Sequence, residues 1–414
     1  MLTKLFKSHV RIQELLDSVA GPLLEGFAQE LCEVGYAAKS AREHIRSAEH
    51  FIYWTSHKAI EIATLNDSSI DGFGRHLHRC QCPGYGHARR INLQNGVRLF
   101  LRYLRATGAV TSPVSGQIPE EPILLTAFHQ WMHQQRGTSS GTLQNYSRAI
   151  RDLLKTVGDP SIYDALKLRK FVMERSKQSG WGRAKLYTSA VRMFLRFLIA
   201  EGKCPVGLDA SVPTLAHWHL SSLPRYLRFE EVERVIDSCD RATPVGRRDR
   251  AILLLLARMG LRAGDVAGLG MDDIDWEQAW IHVAGKGRRQ TRLPMTQEVG
   301  DAIAAYVQES RPPVCTDIIF VRSRAPFRAF SSHIAVSQIV TRAMRRAGVT
   351  CPSRGAAHVL RHSVATSMLR QGASLQEIAV LLRHRSIQTT EVYAKVDVTS
   401  LRAIAQPWPE VELC

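Results

Sequence analysis

Six side chains in the C-terminal half of the sequence are of types that can act on a phosphodiester. Arg262 lies in Gly260-Leu-Arg-Ala-Gly-Asp265, shortly after the apolar run Ala251 to Ala257. Lys286 stands in Gly285-Lys-Gly287. His358 and Arg361 are three residues apart, His384 follows Arg361 by 23 residues, and Tyr393 follows His384 by nine. Two guanidiniums can fork onto the non-bridging oxygens of a phosphate and stabilise a pentacoordinate transition state. Two imidazoles can donate or shuttle protons near neutral pH. A lysine can protonate a leaving oxygen, and a phenol can attack phosphorus. Taken singly, each has an ordinary structural use. An arginine near a helix end caps carbonyls or pairs with a carboxylate such as Asp265, and a Gly-Lys-Gly lysine is a solvated tip. A lone histidine is a satisfied polar group, and Tyr393 is a core aromatic with a wet hydroxyl. Together the six describe a site for a doubly esterified phosphate.

The elements that must position them are legible from periodicity. Arg228 to Ser238 and Arg247 to Met259 have the spacing of amphipathic or buried helices. Ile274-Asp-Trp276, Ala279 to Val283 and Thr291 to Pro294 read as short strands, with Lys286 at the second turn and Arg288 and Arg289 beside it. Val336, Ile339, Val340, Ala343 and Ala347 form one apolar stripe ended by Gly348. Ser374-Leu-Gln-Glu377 is a capping box that opens a helix through Ile378, Leu381 and Leu382. His358 and Arg361 then share a helix face. The expected fold of this half is mainly α with one small antiparallel β-sheet.

Upstream the sequence repeats. Val97-Arg-Leu-Phe-Leu-Arg-Tyr-Leu-Arg-Ala-Thr-Gly108 matches Val191-Arg-Met-Phe-Leu-Arg-Phe-Leu-Ile-Ala-Glu-Gly202 at eight of twelve positions. Each copy ends at a glycine suited to close a helix. Each is preceded by an amphipathic stretch, His44, Ala48, Phe51 and Ile52 in one case and Tyr146, Ile150, Leu153 and Leu154 in the other. This predicts two all-helical modules, residues 1–112 and 118–205, then a proline-containing linker at 206–224, a catalytic domain at 225–396 and a tail at 397–414.

Lys and Arg number 55 against 38 Asp and Glu, a net charge of +17. An excess that large favours a polyanionic partner, and nucleic acid is the commonest. Arg98, Arg102, Arg192 and Arg196 recur in the repeat and, with Arg288 and Arg289, are the candidate phosphate contacts; a solvated helix face is the competing use for each. The longest apolar run falls far short of the roughly 20 residues of a membrane span. No signal-peptide core follows the basic Met1 to Arg11. The eight cysteines are scattered, which suits a reducing cytoplasm.

The blocks Gly260-Leu-Arg-Ala-Gly-Asp265, His358-Val-Leu-Arg-His362 and Leu382-Arg-His-Arg…Tyr393 resemble the signature boxes of tyrosine recombinases, the phage integrase family. The spacing also agrees, with 24 residues from Arg262 to Lys286. The resemblance covers about residues 222–396, and all six positions are filled. It implies a site-specific DNA recombinase of double-stranded DNA in which Tyr393 attacks the scissile phosphate, forming a 3′-phosphotyrosyl link and releasing a 5′-hydroxyl. Lys286 would be the general acid, Arg262 and Arg361 the phosphate clamp, His358 the carrier of the tyrosine proton, His384 a hydrogen-bond donor, and Asp265 the group that orients Arg262. Because the phosphotyrosine keeps the free energy of the ester, the implied chemistry needs no cofactor, neither ATP nor a metal. The family acts as a homo-tetramer, in cases with accessory recombination proteins, and serves integration, excision or transposition of mobile elements. Two readings compete with it: a type IB topoisomerase, and a non-catalytic architectural protein on the same scaffold. The sequence departs from the family at Arg383, where a glycine commonly precedes the third-box histidine. It departs again in its duplicated helical module, whose first copy would wrap DNA or serve protein contacts.

One motif falls outside that scheme. His76-Leu-His-Arg-Cys-Gln-Cys-Pro-Gly-Tyr-Gly-His87 offers His76, His78, Cys80, Cys82 and His87. Thiolates with imidazoles can hold zinc, but the alternate-residue spacing is not that of a finger, and the expectation is a cysteine-rich loop without metal.

Overall fold

A computed structural model describes residues 1–85, 90–110, 123–215, 224–284, 290–352, 355–384 and 386–396. The chain is mainly helical with one three-stranded antiparallel sheet, as the patterning predicts. Its contacts divide it into two compact units: Met1–Thr111 together with Leu220–Cys414, and Ser112–His219. Among the described residues, no helix is long and apolar enough to cross a membrane.

The first unit begins with six helices: α1 (Leu2–Leu5), α2 (His9–Leu16), α3 (Gly21–Glu33), α4 (Ala38–His57), α5 (Asp67–His76) and α6 (Arg90–Ala106). The second unit holds α7 (Ile123–Arg136), α8 (Ser140–Val157), α9 (Ala165–Lys177) and α10 (Trp181–Ala200). The sequence repeat is structural. Helix α4 packs on α6 as α8 packs on α10. Within the repeated helices, equivalent positions are buried in both copies: Val97 and Val191, Phe100 and Phe194, Leu101 and Leu195, Leu104 and Leu198. Both copies leave the helix through a left-handed glycine, Gly108 at φ 74° and Gly202 at φ 69°, a conformation that costs a residue with a Cβ about 1–2 kcal/mol. Part of the proline-containing stretch is packed rather than free. Val212 is buried in the core of the second unit, and Leu208 lies against it.

The rest of the first unit contains α11 (Phe229–Asp237), α12 (Pro244–Ala257), α13 (Ala263–Ala267), α14 (Gln297–Glu309), α15 (His333–Arg346), α16 (Ala356–Arg370) and α17 (Leu375–Leu381). Helix α12 is its axis. Pro244 sits in the first turn, where no N–H is needed, and the Thr243 hydroxyl accepts from the Gly246 amide at 3.1 Å. Beyond that turn, Ile252 to Leu256 are buried on every side, as expected of a helix apolar all round. Strands β1 (Ile274–Asp275), β2 (Trp280–Ala284) and β3 (Gln290–Pro294) pair in sequential order, with Ile281 opposite both Ile274 and Leu293. Those three residues are buried, so the sheet puts one face on the α12 core, as its alternation requires. Lys286, Arg288 and Arg289, between β2 and β3 in the sequence, lie outside the described residues, as does the tail from 397.

Two local devices bring the signature boxes together. After α12 the chain turns at Gly260, φ 58°, where a Cβ would stand 2.8 Å from Leu382 Cδ2, so glycine suits both the left-handed turn and the close approach of the third box. Helix α17 starts at the predicted capping box. The Ser374 hydroxyl accepts from the Glu377 amide at 3.2 Å, and the Glu377 carboxylate accepts from the Ser374 amide at 2.7 Å. That fixed start aims the residues that follow the helix, Leu382 to His384, back at Gly260.

Candidate active site

Arg361 joins the boxes. It projects from the middle of α16, is 5% exposed, and its two terminal nitrogens donate to the main-chain oxygens of Gly260 and Leu382. One guanidinium thus satisfies two buried carbonyls from segments 101 and 21 residues away. Arg262 caps α13, and its guanidinium donates to the carbonyl of Arg383 at 3.2 Å. Asp265 reaches Arg262 through the backbone, accepting from its amide at 3.1 Å, and with the same oxygen accepts from the Arg383 guanidinium at 2.5 Å.

Arg383 explains the glycine that its position commonly carries in this pattern. Its φ is 52°, in the left-handed region, a strain of order 1–3 kcal/mol for a residue with a side chain. Its side chain is 6% exposed, and Nε and Nη1 have no partner among the described residues. Three guanidiniums, Arg262, Arg361 and Arg383, thus feel one carboxylate, Asp265, whose ion pair is with Arg383. Burial first, then Arg262 and Arg383, holds Arg361 down to about 10. Burial and Arg383 also lower Arg262, against the pull of Asp265.

The imidazoles and the phenol lie against this cluster. Burial, then Arg361 and Arg262, lowers His358. The same causes bring His384 to about 4. Its Nδ1 lies 2.7 Å from the hydroxyl of Thr390, which is fully buried, and that fixes the ring with Nε2 on the other side. Tyr393, on the 3₁₀ turn Glu391–Val396, is 1% exposed and packs with Ala365, Ile378 and Leu382. Burial raises its hydroxyl to about 12, and Arg361 only partly offsets this. The hydroxyl lies 2.6 Å from Nδ1 of His362, a ring brought to about 4 by burial, His358 and Arg361.

The structure thus gathers Arg262, Asp265, His358, Arg361, His384 and Tyr393 from four stretches of chain. The whole chain bears on what they are. Residues 225–399 match the phage integrase family. A putative integrase/recombinase of Sinorhizobium fredii, y4rA, is 37% identical over 393 residues, covering 92% of this chain and 93% of that relative. The chain belongs to the phage integrase family of tyrosine recombinases. At the level of fold, this recombinase is similar to the XerH site-specific recombinase bound to palindromic difH substrate, with TM-score 0.54 and 19% identity over 67% of this chain and 83% of that one. It is also similar to the Tn1549 transposon integrase in complex with transposon right-end DNA, with TM-score 0.51 and 15% identity over 68% and 97%.

Against the expectations for a recombinase, two residues are new. His362 carried no role in the sequence reading, although its position, four after His358 on one helix, puts it on the same face. Thr390 had no signal at all. The repeat arginines are used unequally. Arg192 donates to the Val212 carbonyl at 3.0 Å and Arg196 pairs with Asp209 at 2.9 Å, so each spends part of its guanidinium inside its own module. Arg98 and Arg102 are exposed on α6.

The suppressed imidazoles make stability depend on pH. His362 and His384 are neutral when folded down to about pH 4, whereas unfolded histidine takes its proton near 6.5. Between those values the unfolded chain binds more protons, so their contribution is whole above about pH 6.5 and is lost as pH falls toward 4. The thermal midpoint should drop between about pH 7 and about pH 5, above the range where carboxylates titrate, and should drop less in His362→Phe. A level midpoint over that window would mean the rings titrate normally.

Proposed function

We propose that this recombinase breaks and rejoins DNA at specific sites through a 3′-phosphotyrosyl intermediate on Tyr393, and that it moves a mobile element. The observation that carries the reading is the electrostatic imbalance of the site. Arg262 and Arg383 weigh on Arg361, Arg383 weighs on Arg262, and two donors of Arg383 have no partner among the described residues. A phosphodiester beside a phenol would complete them.

In the first step Tyr393 Oη bonds to phosphorus and the bond from phosphorus to the 5′-oxygen breaks. The phenol's proton passes to an imidazole, and Lys286 returns one to the leaving oxygen. At a phenol pKa of about 12, roughly one molecule in 10⁵ is ionised at neutral pH, so a neutral imidazole must take the proton. His362 is placed for that at 2.6 Å, with His358 beside it, their ring centres 6.3 Å apart. Arg262, Arg361 and His384 Nε2 stabilise the charge that develops on the non-bridging oxygens. Religation reverses the steps. The same reading has a homo-tetramer act on two duplexes, as the family resemblance implies. The mobile-element role is supported by likeness to a relative named integrase/recombinase and to a transposon integrase.

Two effects oppose each other in His362→Phe. Losing the bond that holds Tyr393 in its pocket eases its exposure by about 0.5–1.5 kcal/mol, at most about tenfold in rate. Losing a proton acceptor costs about 10²–10⁴. Single-turnover cleavage should therefore fall at least tenfold; an unchanged or faster rate would reduce His362 to a packing residue.

The reading as a whole is tested with nicked suicide duplexes carrying the DNA that flanks the gene, or a scrambled control, without added divalent cation. Covalent protein–DNA complex on the flanking DNA alone is the expected result. Equal trapping on both would make the protein topoisomerase-like, and binding without trapping would make it architectural.

A further inference from the structure

Outside the recombination site, the first helical module gathers four nitrogen and sulfur donors. His50, His76, Cys80 and Cys82 each offer a ligand atom, and these atoms all lie within 4.8 Å of one another. They come from three places: His50 from the buried face of α4, His76 from the last residue of α5, and the two cysteines from the loop that follows. The Nε2 of His50 is 3.4 Å from Cys80 Sγ, and the Nε2 of His76 is 3.3 Å from Cys82 Sγ. The sequence motif looked unsuitable because Cys80 and Cys82 are separated by a single residue. The missing member was His50, 26 residues before His76. His78, which the motif had suggested, is not in the cluster, and His87 lies outside the described residues.

We infer that His50, His76, Cys80 and Cys82 bind a structural zinc ion. Zinc takes imidazole nitrogen at about 2.0–2.1 Å and thiolate sulfur at about 2.3 Å in a tetrahedron, which separates a nitrogen from a sulfur by about 3.5 Å, close to both measured pairs. Two imidazoles and two thiolates suit zinc, while calcium and magnesium require oxygen. Charge also fits: two thiolates cancel the dication, so the complex adds nothing to a chain already at +17. The surroundings hold the ligands in place. Tyr85 stacks on the His50 ring at 4.2 Å and 8°, Phe73 meets the same ring edge-on at 5.0 Å, and the Cys82 amide donates to Cys80 Sγ at 3.5 Å. With four protein ligands the site is closed, so the ion ties the loop to α4 and α5 and has no open position for catalysis. The inference is independent of the recombination chemistry and stands or falls without it.

The test uses the full chain, expressed in zinc-supplemented medium and purified without chelators. Elemental analysis should find one zinc per chain, lost in Cys80→Ser/Cys82→Ser and in His50→Ala but kept in His78→Ala. Metal-free wild type, or zinc kept in both ligand variants, would overturn the assignment. Should the ligand variants fail to fold, wild type exchanged with cobalt decides. The intense visible bands of tetrahedral cobalt with sulfur charge transfer support the site, and the pale spectrum of octahedral cobalt refutes it.

Discussion

Replacing Tyr393 with phenylalanine should leave a folded protein that binds its DNA as wild type does and forms no covalent complex with it. The substitution removes a single oxygen. The ring keeps its place among Ala365, Ile378 and Leu382, and the loss is confined to one hydrogen bond with His362, a net cost of about 0.5–1.5 kcal/mol. Thr390, the nearest hydroxyl by sequence, is engaged with His384 and is not placed to inherit the attack. On denaturing gels of a nicked substrate, the shifted band should therefore vanish, not weaken. A residual band in Tyr393→Phe would move the nucleophile elsewhere and remove the basis of the proposed mechanism. Loss of DNA binding together with the band would show that the hydroxyl matters for structure instead.

What could be read from the sequence divides along a physical line. Periodicity and end signals are local, so α11, α12, α15, α16 and α17, the capping box at Ser374, the three strands and the repeated helix with its closing glycine were legible, while the short α13 was not. Residue types at set spacing were legible too, which is why Arg262, His358, Arg361, His384 and Tyr393 stood out before any contact was known. Contacts between segments distant in sequence were not. Nothing local says that Arg361 serves two carbonyls in other segments, that Asp265 spends its carboxylate on Arg383, or that Thr390 holds His384. The metal-like cluster failed for the same reason, since its fourth donor sits one helix away on α4. Arg383 lies between the two cases. Its departure from the family pattern was visible, but its cost, a left-handed backbone and two unpartnered donors, needed the fold.

Those nonlocal contacts make Arg361→Lys the most discriminating change after the nucleophile. Charge is kept, so a mechanism needing only a cation near the phosphate would survive it. The ammonium is a point donor on a flexible stem, however, and cannot reproduce a planar fork that reaches both Gly260 and Leu382. At least one buried carbonyl then loses its partner, a penalty of about 1–3 kcal/mol. The junction between the first and third boxes loosens, carrying Arg262 and His384 with it. Removing an oriented donor from a developing oxyanion costs about 10²–10³ in rate, and displacement of its neighbours adds to that. The expected outcome is a lowered thermal midpoint, DNA affinity within a few-fold of wild type, and cleavage reduced at least about 10²-fold. Near-normal cleavage by Arg361→Lys would mean that the guanidinium is a structural tie alone, and that the phosphate is held by Arg262 and Arg383.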